Sequence, residues 1–388
     1  MTGHTGGRVA LIVLDGVGIG ACPDQAAYGD LGSDTLGNLA RAVGGLELPN
    51  LEAFGLGCCR PLEGMQCGSV RAAHGVAIPR SFGKDSTAGH WELCGLVLDT
   101  PFPTYPNGFP ATVLAEFASR TGRPVIGNVV ASGTAIIEQR GAEHLATGAW
   151  IVYTSADSVF QVAAHEARVP LEELYAACAT ARAMLTGDHA VSRVIARPFV
   201  GEPGAFQRTA RRRDFSLAPV APTLLDRLAD AGIPRLGVGK VDDLFAGRGI
   251  TSRHTATNRD AYDAIAEGLR TLERGLLFAN VIEFDQSWGH RNDVAGFHEG
   301  LRELDQVLSG LLEPLRPGDL MIVTADHGND PTTPSTDHSR EAVPLLVAGP
   351  GVRPAVLGER DFADVGATVA DYFSVSSGAG RSFLGELG

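Results

Sequence analysis

The segment Arg8–Leu14 runs through six consecutive apolar residues, Val9 to Leu14, several of them β-branched, and stops at Asp15. A strand with no polar alternation must be covered on both faces, the situation of a mostly parallel sheet flanked by helices. Six residues fall far short of the ~20 needed to cross a bilayer, and the immediate Asp15 leaves no signal-peptide cleavage region. Further strand-length runs at Leu276–Phe284, Leu320–Thr324 and Pro344–Ala348 alternate with helical patterns at Thr223–Ala231, Asp260–Arg274 and Phe297–Leu315. Gly232 and Gly275 follow the first two of these helices, where a left-handed cap is needed. The alternation specifies an α/β fold rather than an all-α or all-β one.

At 388 residues the chain has room for two or three domains. The stretch from about Pro101 to Pro222 has its own strands (Trp150–Tyr153, Arg193–Arg197) and a helix (Leu171–Leu185), but none of the clustered Asp and His residues described below. It reads as a smaller domain, 101–216, inserted into a core formed by 1–100 and 217–388. The balance of 32 Lys+Arg against 45 Asp+Glu, net −13, disfavours nucleic acid as a partner, and the short Arg208, Arg211–Arg213 cluster reads as solvated surface. Six cysteines with no CxxC pair suggest neither a disulfide framework nor a thiolate zinc site. A cytoplasmic, monomeric protein acting on small molecules, away from membranes, is the expectation.

Three apolar runs lead into acidic or histidine residues: the first into Asp15, the second into Asp285 with His290 beyond it, the third into Asp326-His327, with His338 in the next loop. Ligands of open α/β sheets bind beyond the carboxyl ends of the strands. A lone Asp after a strand is usually a cap or turn residue, and a lone His a satisfied polar group. Six such residues converging from three strand ends point instead to metal. They suffice for two divalent cations, and oxygen plus imidazole donors suit Mn²⁺, Zn²⁺ or Fe²⁺ better than Mg²⁺. The segment Gly83-Lys84-Asp85-Ser86-Thr87-Ala88-Gly89-His90-Trp91 offers hydroxyls beside a lysine in a glycine-flanked turn that opens a helix. Alone it would be an N-cap serine; beside a two-metal site it is a nucleophile candidate.

These segments, Asp15–Gly20, Gly83–Trp91, Asp285–Asp293, Ala325–Asp330 and Thr336–Glu341, together with Tyr153–Val159 and Arg193–Glu202 in the middle, resemble the prokaryotic phosphopentomutases of the alkaline phosphatase superfamily. The resemblance spans nearly the whole chain, in order. It implies an alkaline-phosphatase-like α/β core with an inserted α/β cap. It also implies interconversion of (deoxy)ribose 1-phosphate and (deoxy)ribose 5-phosphate through a phosphorylated enzyme hydroxyl and a sugar 1,5-bisphosphate. Two Mn²⁺ ions are implied, with glucose 1,6-bisphosphate or ribose 1,5-bisphosphate as activator. By motif, Asp285, His290 and His338 correspond to the ligands of one metal, and Asp15, Asp326 and His327 to those of the other. Ser86 stands at the nucleophile position, where family members commonly carry Thr, with Thr87 the less suitable neighbour. Ser155, Asp157, Arg193, Arg208 and Lys240 correspond to substrate contacts. Glu283, Asn292 and Ser339 also depart from the family pattern, without removing a ligand. A phosphatase with the same metal core, a mutase for another sugar phosphate or for phosphoglycerate, and a silent metal-binding protein are the competing readings.

Overall fold

The computed structural model describes residues 6–155 and 157–388 and divides into two compact units, one formed by the chain up to Pro101 with Pro219–Gly388, the other by Phe102–Ala218. Among the described residues no helix is long and apolar enough to cross a membrane.

The first unit is built on an eight-stranded sheet: β1 (Arg8–Leu14), β2 (Ala73–Ile78), β3 (Arg235–Val238), β4 (Ser252–Arg253), β5 (Gly275–Val281), β6 (Leu320–Thr324), β7 (Val343–Ala348) and β8 (Ala355–Asp361). Their spatial order is β4-β3-β5-β1-β6-β7-β2-β8, and β7 alone runs antiparallel to its neighbours. β1 lies between β5 and β6 in parallel register, Leu14 opposite Val281 and Val13 opposite Thr324. The three central strands therefore end at one level, which brings the residues that follow them to one rim. All seven residues of β1 are buried, Arg8 included. That arginine is tolerable in the core because Asp319 meets its backbone N at 2.8 Å and its Nε at 2.9 Å, so the buried charge is both paired and hydrogen-bonded.

Helices α1 (Thr35–Val43), α2 (Ser86–Leu93), α3 (Asn258–Thr271), α4 (Val294–Leu312) and α5 (Phe362–Tyr372) accompany this sheet. α3 packs on β5 and α4, and α5 on α2. The sequence expectation for α3 runs past its end. Leu272 caps it in an extended conformation, and Gly275, with φ +123°, opens β5 instead of closing the helix. Gly232 does take the left-handed conformation just beyond its helix, which spans Leu224–Asp230 behind a Thr223–Asp226 capping box. Cys58 and Cys67 form a disulfide, a pairing that the cysteine count and spacing did not suggest; nine residues apart, they are brought together by the turn of chain between them.

The second unit is a separate sheet in the order Val125–Val130, Trp150–Thr154, Val159–His165, Arg193–Val200 and Gln207–Arg208, with Arg213–Ser216 also pairing on Arg193–Val200. One core gathers Phe117, Trp150, Phe160 and Val194 under the helices Ala111–Thr121 and Leu171–Met184. A smaller one lies against the helix Gly133–Thr147, with Ile136, Ile137, Tyr153 and Phe199. The strand Arg193–Val200 and the helix Leu171–Met184 match the sequence expectation to within a few residues.

Candidate metal centre

Asp15 follows β1 directly, and its backbone N still donates to Val281 O at 3.1 Å. The turn behind it needs Gly16, at φ +78°: a Cβ there would stand 3.1 Å from Asn329 Cβ and 3.3 Å from Asp285 Cβ. Asp285 lies in a π-helical turn, Phe284–Trp288, after β5, and His290 in the short helical turn that follows. Asp326 and His327 follow β6 after one residue, and His338 lies on the loop leading to β7. All six predicted ligands thus come together at the carboxyl ends of β1, β5 and β6.

At this rim two groups of ligand atoms each lie within 4.8 Å of one another: Asp15, Asp326 and His327, and Asp285, His327 and His338. The first is the expected triad. In the second, His327 replaces the expected His290, whose Nε2 is nevertheless 3.2 Å from Asp285 Oδ2, with His338 Nε2 3.3 Å from Asp285 Oδ1. His327 bridges the two groups; its Nε2 is 3.3 Å from Asp15 Oδ1 and 3.5 Å from Asp326 Oδ2.

The donor set fits divalent cations. His290 Nδ1 donates to Thr336 O at 2.6 Å and His327 Nδ1 to Gly328 O at 3.0 Å, which leaves each Nε2 facing the carboxylates, the orientation a ligating histidine needs. Asp326 Oδ2 is buried and receives no hydrogen bond, since His90 Nδ1, 3.1 Å away, is bonded to Ser86 O at 2.9 Å. A buried carboxylate oxygen without a donor calls for a cation. The electrostatics agree. Burial, together with the Asp326 and Asp285 carboxylates, raises Asp15 above its ordinary pKa. Burial works the same way on Asp285 and Asp326, but the imidazoles win. His338, His290 and His327 hold Asp285 well below the carboxylate range, and His327 and His90 lower Asp326. In return, against the effect of burial, Asp326, Asp15 and Asp285 hold His327 well above an ordinary imidazole, and Asp285 lifts His290 to about 9.

Ser86 is the first residue of α2, and the cap is Asp85, not the serine: Asp85 Oδ1 accepts from Thr87 N at 3.0 Å and Ala88 N at 3.2 Å. That frees Ser86 Oγ, which stands 3.0 Å from His327 Nε2 and 3.4 Å from Asp15 Oδ1 at the positive end of the helix. Thr87 is buried on the helix's inner side. Lys84 Nζ pairs with Asp30 Oδ1 at 2.8 Å.

Three side chains that the sequence reading left unassigned complete the centre. Asn280, inside β5, donates to Asp15 Oδ2 at 3.0 Å; Asn329 donates to Asp285 Oδ1 at 2.7 Å; and His90 supports the Ser86 carbonyl. Asn329 and His90 sit in the motifs quoted above, whereas Asn280 is an isolated polar residue in an apolar strand, the one signal that could have found it. The departures Glu283 and Asn292 bond elsewhere: Glu283 accepts from Asn258 N at 2.6 Å, starting α3, and Asn292, in the left-handed conformation, donates to Thr333 O at 2.6 Å.

The residues expected to grip substrate are more scattered. Lys240, in the first unit, is bonded to Gln286 Oε1. In the second unit, Ser155 Oγ lies 3.5 Å from Asp157 Oδ2 in the hairpin between two strands, and Arg193, which begins the strand paired with Val159, faces Asp214 at 3.8 Å. Arg208 pairs with Phe199 at the far end of that strand, where it lines a cavity with Arg197, Arg212 and Thr134.

Residues 7–377 match the family model of the metalloenzyme superfamily. The phosphopentomutase of Carboxydothermus hydrogenoformans is 54% identical over 98% of this chain and 99% of its own, and that of Anaeromyxobacter dehalogenans 56% identical over 98% and 99%. The chain belongs to the phosphopentomutase family. The phosphoglycerate mutase of Leishmania mexicana, 14% identical, shares the fold with a TM-score of 0.50 over 97% of each chain. The α/β architecture, the metalloenzyme core and membership of a mutase family are thereby established together.

Proposed function

We propose that this chain interconverts ribose 1-phosphate and ribose 5-phosphate, and the 2-deoxyribose pair, through a phosphoryl group carried on Ser86. The observation that carries the reading is the placement of Ser86 Oγ at a helix N-terminus, 3.0 Å from His327 Nε2 and 3.4 Å from Asp15 Oδ1. Asp15, Asp326 and His327 would hold one divalent cation and Asp285, His290 and His338 a second, Mn²⁺ by the donor set and the family resemblance. Two cations there neutralise phosphate oxygens and favour in-line transfer.

The chain's own part of the cycle is positional. Phospho-Ser86 presents its phosphoryl group to the free hydroxyl of the sugar monophosphate. The P–O bond to Ser86 breaks as the bond to the sugar oxygen forms, and the hydroxyl proton ends on Ser86 Oγ. The resulting 1,5-bisphosphate turns, and its other phosphate returns to Ser86 with the proton going back to the sugar. Glucose 1,6-bisphosphate or ribose 1,5-bisphosphate starts the cycle by phosphorylating the serine. Ser155, Asp157, Arg193, Arg208 and Lys240 are the groups for the sugar hydroxyls and the phosphate that is not in flight, the guanidinium fork matching phosphate oxygens. The inserted unit serves as the cap that excludes water, so that transfer outruns hydrolysis.

Labelling tests this. Enzyme incubated with ³²P-labelled glucose 1,6-bisphosphate should carry acid-stable label on Ser86, and Ser86→Ala should carry none while keeping its fold and metal content. Label persisting in the variant would assign the role to Thr87 instead.

A further inference from the structure

Arg340 lies two residues beyond His338 and is 3% exposed. Every N–H of its guanidinium is spent on the protein. Nε donates to Asp24 Oδ1 at 3.2 Å; Nη2 donates to Asp24 Oδ2 at 3.0 Å and to Pro79 O at 2.8 Å; Nη1 donates to Ser81 O at 2.7 Å and to Gly83 O at 2.8 Å. Its backbone N donates to Asp30 Oδ2 at 2.8 Å, and the other oxygen of that carboxylate takes Lys84 Nζ.

The three carbonyls belong to one segment, at alternate residues 79, 81 and 83, and that segment ends at Asp85, the cap of α2. Its amides are held by a different group. The buried Glu92, on α2 itself, accepts from Arg80 N at 2.9 Å and from Ser81 N at 2.7 Å. The stretch leading to Ser86 is therefore gripped by an arginine on its carbonyls and by a glutamate on its amides. The arginine belongs to the loop that carries His338. That loop is tied in turn to the other strand ends, Ser339 N to Gly328 O at 2.7 Å and Ala342 N to Gly20 O at 2.9 Å. An arginine this close to a phosphoryl-transfer centre would ordinarily be assigned to a phosphate, but here no donor is left over for one. A lysine could not replace it, because one ammonium presents its three donors from a single point and cannot reach three spaced carbonyls and a carboxylate.

We infer that Arg340 is a positioning residue for the phosphoryl acceptor, fixing where Ser86 Oγ stands relative to His327 and Asp15. The inference rests on the reading of Ser86 as that acceptor.

The test uses the full-length, Mn²⁺-loaded enzyme and labelled glucose 1,6-bisphosphate at saturation. Arg340→Lys should slow phosphorylation of the enzyme by about 100-fold, the order of loss that a displacement near 1 Å brings. KM for ribose 5-phosphate and the metal content per chain should stay close to wild type. Asp24→Asn leaves the three carbonyl bonds in place and should slow phosphorylation far less. In Arg340→Ala, millimolar guanidinium should restore phosphorylation and urea, equal in shape but uncharged, should not. Should the alanine variant fail to fold, the lysine and Asp24 variants decide alone. Wild-type speed of labelling in Arg340→Lys overturns the inference, as does a raised KM with unchanged labelling, which would make Arg340 a substrate contact. If the wild-type enzyme takes no label on Ser86, the acceptor reading falls first; if it does and Arg340→Lys labels equally fast, only the positioning role falls.

Discussion

Gly89 sets how closely the helix that carries Ser86 approaches the sheet, and Gly89→Ala turns that closeness into a measurable quantity. A Cβ at position 89 would lie 2.2 Å from Asp326 O and 2.9 Å from Asp326 C and Cβ. These are backbone and near-backbone atoms at the end of a central strand, where Gly16 N also donates to Asp326 Oδ1 at 3.2 Å, so they cannot swing aside. To reach a separation of roughly 3.4 Å, α2 must retreat by roughly 1 Å. The retreat draws Ser86 Oγ away from His327 Nε2, now 3.0 Å distant. In an ordinary helix interior, Gly→Ala stabilises by roughly 0.5–1 kcal/mol, whereas overpacking of a filled interior costs roughly 1–3 kcal/mol. The variant should therefore melt below wild type, not above it, and lose roughly 100-fold in kcat with KM little changed. Thermal unfolding of the Mn²⁺-loaded protein and steady-state turnover of ribose 1-phosphate measure both. A kcat within about threefold of wild type, together with a raised Tm, would refute the claim that close approach of this helix positions the serine.

Two further outcomes are expected. Elemental analysis should count two metal ions per wild-type chain and one in Asp326→Asn, which alters a fully buried carboxylate; two ions in the variant would count against the ligand assignment. Glu341, wholly buried beneath the strand-end loops, has its carboxyl pushed by burial from 4.5 up to about 7, although Thr35 and Ser339 donate to it. Because the folded pKa lies above the unfolded one, the folded state keeps a proton that the unfolded state has released between about pH 4.5 and 7. Stability from this group is present at low pH and falls as pH rises through that window, by roughly 3 kcal/mol in all. Glu341→Gln, which can satisfy the same partners, should flatten the difference in urea midpoint between pH 5 and pH 8. An unchanged pH slope in the variant would contradict the assignment.

How much of this was legible in the sequence follows from where the information is local. Val9–Leu14 reads as a buried parallel strand because nothing in it tolerates water on either face, and it lies between two parallel neighbours. The six candidate Asp and His ligands are legible because five of them lie at or just beyond the ends of strand-length runs and His338 in the next loop, and parallel strands deliver their carboxyl ends to one side. Whether His290 or His327 stands nearer the Asp285 group is a matter of turn geometry, since a π-helical turn carries Asp285. Spacing alone does not encode that. Gly275 misleads for a related reason. The left-handed conformation it supplies serves the entry to β5 equally well, and the helix had already ended at Thr271. Asp85 and Ser86 are both good N-caps, and only the backbone shows that the aspartate takes the role and leaves the serine hydroxyl free. Asn280, Asn329 and Arg340 act through contacts with residues 44 to 316 positions away in the chain, which no window along the sequence contains. The Cys58–Cys67 pair depends on the turn between them and escapes a count of cysteines in the same way.

The central claim is that a phosphorylated serine at a two-cation centre moves phosphate between the two ends of a pentose. It is tested most directly by ³¹P NMR of ribose 5-phosphate with the Mn²⁺-loaded enzyme, quenched and stripped of metal before acquisition, with and without a trace of glucose 1,6-bisphosphate. The account predicts that the ribose 1-phosphate resonance grows in, faster with the bisphosphate, while inorganic phosphate stays at its starting level. Growth of inorganic phosphate in place of ribose 1-phosphate would contradict it, because the serine would then be handing its phosphoryl group to water.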